Sequence, residues 1–214
     1  LLEQRLDRAA DDAERVSLQV DLGRALAEMG DHAAAARALE SALETNPDHP
    51  AALAAFADIK HEMGDYQAAE SSWVRLARLL SSEDEQRIVY EKLGDVYATH
   101  LGNPTRAEAA LREVLKRAPD DEPTLKKLVD VYRAQGDMVR AIETFEGYLK
   151  LTHDPHERER RLVELGALYE GHNQRKAELV LESARKEYPT SVFVLRAMAE
   201  FYASWFGGSA GPAY

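Results

Sequence analysis

Thirty-four residues separate Gly30-Asp31 from Gly64-Asp65, and the same interval separates Gly102 from Gly136, which is followed by Asp137. A fixed interval of this size means one supersecondary unit copied along the chain. No single copy can bury its own apolar side, so neighbours must stack. The residues around each glycine repeat as well. Leu22-Gly23 and Leu26 precede the first turn, and Ala35, Leu39, Ala42 and Pro47 come after it. Leu128-Val129 and Tyr132 precede the turn at Gly136, with Ala141 and Phe145 after it; Phe56-Ala57, Ala69 and Trp73 flank the turn at Gly64. Apolar residues three and four apart on both sides of the turn predict two amphipathic helices, A and B, per unit.

Each recurring residue type has a mechanical reason. A small residue at position eight of helix A (Gly23, Ala57, Gly94, Gly166, with Val129 the largest) lets A and B approach closely. Glycine at the turn supplies the left-handed backbone that a Cβ penalises. Asp31, Asp65 and Asp137 are N-caps for helix B, and in the third unit Asn103 takes this role with Pro104 at the first helical position. Pro47, Pro119 and Pro189 stop helix B because proline cannot donate to the helical ladder.

The pattern resembles the tetratricopeptide repeat family, whose helix–turn–helix unit has a period of 34 residues. The resemblance covers nearly the whole chain and implies an all-α, right-handed α–α superhelix of antiparallel helix pairs. It divides the chain into the end of a preceding repeat (1–15), five repeats (16–49, 50–86, 87–121, 122–158 and 159–191), and a partial sixth with a tail (192–214). Leu2, Leu6 and Ala9-Ala10 suit the last helix of an earlier repeat. Gly207-Gly208-Ser209-Ala210-Gly211-Pro212 forms a break where a sixth turn is due, either a native feature or a cloning tail. A start at Leu1 leads to the expectation of a fragment from a larger array, with an apolar face open at one or both ends.

The spacing is not uniform. Position seven falls at Leu22, Phe56, Leu93, Leu128, Leu165 and Met198, in steps of 34, 37, 35, 37 and 33 residues. The long steps coincide with the charged junctions Ser81-Ser82-Glu83-Asp84-Glu85 and His153-Asp154-Pro155-His156-Glu157. A superunit of two repeats accounts for this if every other helix A is extended at its N-terminus.

Composition restricts function. A formal net charge of −11 argues against nucleic acid, where neutralisation of phosphate by Lys and Arg supplies most of the affinity. The chain has no cysteine, so disulfides, thiolate zinc sites and a cysteine nucleophile are excluded. No apolar run reaches the ~18 residues that span a bilayer. No phosphate-binding glycine loop, nucleophile elbow or His-Glu-x-x-His pair occurs. His153 and His156 read as solvated histidines rather than a metal site. Tyr97, Tyr132 and Tyr169 at position eleven read as packing residues. Neither an enzyme nor a resident cofactor or metal is expected.

In the family, the inner face is lined by helix A, and the resemblance implies contact positions there. Position nine gives Arg24, Asp58, Asp95, Asp130 and Ala167. Glu91 and Lys126 fall at position five, Lys92 and Lys127 at six, and His61 and Arg133 at twelve. Three consecutive aspartates with lysines beside them suit a basic or mixed-charge peptide or protein segment. The alternative reading leaves this stripe solvated and puts the interface on the convex face or an array end. The family's clamp for chaperone C-terminal carboxylates needs asparagines at positions nine and six. Arg24 and Ala55 occupy one frame, and Asp58 and Lys92 the other, so that function is not expected. The implied role is a protein-binding scaffold or adaptor, read as a cytoplasmic part of a bacterial polarity, motility or envelope assembly. The alternatives are a periplasmic setting and a structural component that self-associates end to end.

Overall fold

The computed structural model describes residues 6 and 9–207. Among these, eleven helices occur in succession: α1 (Asp12–Glu28), α2 (His32–Thr45), α3 (Pro50–Glu62), α4 (Tyr66–Leu79), α5 (Glu83–Thr99), α6 (Pro104–Arg117), α7 (Glu122–Ala134), α8 (Met138–Leu151), α9 (Pro155–Glu170), α10 (Gln174–Glu187) and α11 (Val192–Gly207). No strand occurs among the described residues. The chain divides into two compact units, Leu1–Pro119 and Asp120–Tyr214. In each unit, A and B helices pack as antiparallel pairs, and each pair stacks on the next. The fold is an all-α solenoid. Most of the residues expected to close an earlier repeat (1–5, 7 and 8) and the tail after Gly207 lie outside the described residues.

One aspartate both ends and starts a helix. At the first turn, Gly30 has φ +82 and its N–H donates to Ala27. The Asp31 N–H reaches back 3.0 Å to the Leu26 carbonyl, closing helix A, while its Oδ1 accepts the Ala34 N–H at 2.9 Å and opens helix B. Asp65 and Asp137 repeat both bonds, behind Gly64 (φ +79) and Gly136 (φ +75). The fifth turn departs from the rule. Gly171 is right-handed at φ −77, and Asn173 caps α10 through Lys176 N–H without a left-handed residue before it.

Helix lengths alternate. The A helices α1, α3, α5, α7 and α9 have 17, 13, 17, 13 and 16 residues, the long ones extended at their N-termini. Packing alternates in step. A Cβ built on Gly23, Gly94 or Gly166, in the long helices, would lie 2.6, 2.6 or 2.8 Å from the buried leucine of the paired B helix, Leu39, Leu111 or Leu181. In the short helices, the same position is Ala57 or Val129, and the B-helix partner position is a planar ring, Trp73 or Phe145. Volume moves from one helix to the other while the pair stays close-packed. Burying such a leucine contributes roughly 1.5–3 kcal/mol.

The position-eleven tyrosines are core: Tyr97, Tyr132 and Tyr169 are all buried. Each hydroxyl for which a partner is resolved is satisfied by a carboxylate of the preceding B helix. Tyr97 donates to Glu70, and Tyr169 donates to Glu146 at 2.6 Å.

Candidate functional site

In the first unit, α1, α3 and α5 present their exposed sides in succession, and α4 closes the floor. Three adjoining hollows of about 450, 390 and 270 Å³ open here, and Asp58 lines all of them. Alanine at Ala27, Ala54 and Ala55 keeps the A helices low, which is why there is space at all. Trp73, only 2% exposed, forms part of the floor under two of the hollows.

Charge around Asp58 is arranged by the chain itself. Its carboxylate accepts from Lys92 Nζ at 2.6 Å and from the Trp73 indole N–H at 3.2 Å, while Lys92 also lies 5.6 Å over the Trp73 ring. The first rung of the aspartate ladder is therefore held by a cation and an indole from two neighbouring helices. Lys92 and Asp58 are each nearly half exposed, so this pair contributes no more than about 0.2–1 kcal/mol and chiefly fixes geometry. His61, one turn further along α3, meets Trp73 and His100 with ring centroids 5.5 and 5.8 Å apart, and Tyr66 stacks on His100 at 3.8 Å.

The structure brings Arg24, Asp58, His61, Lys92 and Asp95 around these hollows. Arg24 is exposed at the rim, and Asp95 faces Asp58 and His61 across the smallest hollow. Glu91 does not line them; it is half-buried and ion-paired to Arg87 one turn before it. In the second unit, a separate hollow of about 310 Å³ is lined by Lys126, Asp130 and Arg133 of α7, with Phe145 of α8 and Glu164 of α9. Asp130 lies 3.8 Å from Arg133. Lys127 is half-buried and is not part of this lining.

Repeat positions alone do not single out Trp73 or His100, and Glu62 is not among the expected contact residues. Trp73 has the pattern of a core residue and is one, but its N–H faces Asp58. Glu62 follows His61 at position thirteen of its helix A, a position the family pattern does name; it lines two hollows and sits 3.2 Å from His32. His100 comes after α5 and has no pattern position. The concentration of aromatic and histidine residues near this turn is the signal that groups His61, Tyr66 and His100 together.

Burial and hydrogen bonding move the tyrosines around the A–B contacts. Burial, with Glu70 accepting its proton, pushes the Tyr97 phenol up to about 12, and burial with Glu146 does the same for Tyr169. The Asp65 carboxyl is held below its ordinary value by Lys60 and the Ala68 N–H. His153 and His156 are exposed, and among the described residues no group of three or more His, Asp or Glu side chains is placed to hold a metal ion. No helix among the described residues is long and apolar enough to cross a membrane.

The family model for the tetratricopeptide repeat matches residues 26–72 and 98–164, and a second model of the same repeat matches 54–122. No curated protein sequence matches. Among solved structures, YrrB, described as a tetratricopeptide repeat protein with an unusual peptide-binding site, aligns over 85% of this chain and 91% of its own at TM-score 0.60 and 17% identity. MamA aligns over 82% and 92% at TM-score 0.63 and 21% identity. A putative kinesin light chain from Podosopora anserina with nearly identical repeats aligns over 84% and 97% at TM-score 0.56 and 21% identity. At these identities the likeness is one of fold.

Proposed function

The chain belongs to the tetratricopeptide repeat family, and on that premise we propose that it is a non-catalytic docking scaffold for a protein or peptide partner. The segment it holds is basic or mixed in charge and lies against the exposed sides of the A helices. The observation that carries this reading is the set of three adjoining hollows that share Asp58. It is floored by alanines and Trp73 and rimmed by Glu62, Asp95, Arg24 and Lys92. Alternating charge at the rim registers a segment, and the apolar floor supplies the affinity that exposed ion pairs cannot. The peptide-binding site named for YrrB supports the same use of this fold. The setting we assign is a multiprotein assembly in the bacterial cytoplasm, of the polarity, motility or envelope type.

The test is an array of peptides of basic, mixed, acidic and neutral composition, probed with the native chain and with a variant carrying Asp58→Asn, Asp95→Lys and Asp130→Lys. Basic and mixed peptides bind the native chain, and the variant shifts preference towards acidic ones. An unchanged binding profile in the variant removes the groove reading.

A second reading, end-to-end self-association, is favoured by one observation. Val192, Phe193 and Leu195 at the start of α11 are 77%, 48% and 45% exposed. Sedimentation that shifts with concentration, and loses the shift in Phe193→Ser, supports it.

A further inference from the structure

On the B-helix side of the second unit, away from the hollow of Asp130, a cleft of about 400 Å³ lies between α8 and α10 with α9 as its floor. Leu149, Leu162 and Leu165 form its apolar base, and Leu179 and Val180 of α10 form one wall. Leu179 is 54% exposed. Its counterparts in the other four B helices are Arg37, Ser71, Ala109 and Glu143, and those of Val180 are Ala38, Ser72, Ala110 and Thr144. Large apolar side chains therefore stand in α10 where every other repeat has a small or polar one. No packing need inside the repeat explains them.

The opposite wall differs from the same stretch of α6. In α6, Lys116 is ion-paired to Glu113 one turn earlier. In α8, the lysine is kept as Lys150, but Gly147 stands where α6 has its glutamate and where α2, α4 and α10 have Ser41, Arg75 and Ser183. A Cβ on Gly147 would meet nothing within 4 Å, so the glycine is not there to let this chain's own helices approach. In a helix interior it costs roughly 0.5–1 kcal/mol relative to alanine. Its effect is to leave Lys150 with no carboxylate partner among the described residues and to open the surface beside it. The other rim charges are already used. Arg158 is paired with Glu187 at 2.8 Å, and Glu146 accepts the Tyr169 hydroxyl.

The geometry points to this cleft as a second docking site, one that takes an amphipathic helix of a partner protein with leucine-sized residues on one face and an acidic residue flanking them. A groove between two helices accepts a third by its apolar stripe. The unpaired ammonium of Lys150 selects a carboxylate at its edge. The site is independent of the A-helix hollows and stands whether or not a peptide occupies those.

The test uses the full 214-residue chain and a fluorescein-labelled 14-residue helical peptide with leucine at i, i+3, i+4 and i+7 and glutamate on one flank. Two controls accompany it: its scrambled form and a form with lysine in place of the glutamates. The variant Leu179→Glu carries the residue found at the same position in α8, and Leu179→Arg the one found in α2, so both suit the repeat. Anisotropy is expected to show saturable binding of the glutamate peptide only, at least ten-fold weaker with either Leu179 variant. Lys150→Glu is expected to weaken the glutamate peptide several-fold and to admit the lysine peptide. Methyl resonances of Leu149, Leu162, Leu179 and Val180 are the ones that shift. The inference is overturned by equal binding of the scrambled peptide, by Leu179 variants that bind as the native chain does, or by shifts confined to the hollow of Asp130. It is also overturned if the chain alone associates with itself and Leu179→Glu abolishes that, since a second copy then fills the cleft.

Discussion

Replacing Gly94 with alanine sets two well-known effects against each other. In the interior of α5 the change raises helix propensity by about 1 kcal/mol. The new Cβ, however, would lie 2.6 Å from Cδ2 and 2.9 Å from Cγ of Leu111, a side chain only 1% exposed and packed on all sides. Overpacking of this kind costs roughly 1–3 kcal/mol. The net result runs from neutral to a loss of about 2 kcal/mol, too broad to decide anything alone. Gly147→Ala supplies the reference. It lies in a helix interior with nothing within 4 Å of its Cβ, and it gains the propensity term without the clash. The difference between the two variants is then the packing cost, about 1–3 kcal/mol. Urea denaturation monitored by circular dichroism at 222 nm measures it, with the slope checked for constancy because repeat arrays can unfold in stages. Combining Gly94→Ala with Leu111→Phe gives the side-chain-against-ring pairing of the short repeats, Ala57 with Trp73 and Val129 with Phe145, and recovers part of the loss. If Gly94→Ala stabilises as much as Gly147→Ala, the close approach of α5 and α6 is not what the glycine is for.

Three further outcomes are expected. Gly136→Ala, at φ +75, costs about 1–2 kcal/mol, and Asp137→Ala costs about 0.5–2 kcal/mol through the lost cap; thermal unfolding checks both, and tolerance of Gly136→Ala refutes the turn argument. The Tyr97 and Tyr169 phenols titrate near 12 when folded and near their ordinary 10 when unfolded, so they stabilise the fold fully below pH 10, and that stability drains away as pH rises to 12. The double variant Tyr97→Phe/Tyr169→Phe flattens this alkaline loss in a pH series of urea midpoints; curves that fall in parallel contradict it. Lys92→Met frees the Asp58 carboxylate from its cation, so a basic peptide binds several-fold more tightly and Trp73 emission changes; unaltered affinity means that Asp58 is not a contact.

The helix pairs, their turns and caps, and the alternation of long and short A helices are legible in the sequence because each rests on a local rule. Gly30 needs a positive φ, Asp31 caps α2, and Gly23 faces Leu39 because spacing alone puts both on the A–B contact. The fifth turn was less legible, since Gly171 sits one residue away from where left-handed geometry needs it, and Asn173 does the capping. The site was half legible. Position nine correctly puts Asp58 on the exposed side of α3, but whether its charge is spent depends on Lys92 and Trp73, 34 and 15 residues away, and on side-chain reach that no repeat pattern encodes. Glu91 and Lys127 are sequence neighbours of the lining residues Lys92 and Lys126 yet fall outside the hollows, because a one-position step on a helix turns a side chain by about 100°. The cleft beside Lys150 was visible only as a small departure, Leu179 with Val180, whose meaning needs both walls in place.

Docking of a partner on the exposed sides of the A helices is the claim on which the proposed function depends. Photo-crosslinking residues introduced singly at His61 and Arg133, on A helices, and at Arg37 and Ser71, on the exposed sides of α2 and α4, test it most directly. Adducts with a basic or mixed-charge peptide selected from the array are predicted at positions 61 and 133, and none at 37 and 71. Adducts at 37 and 71 alone contradict it.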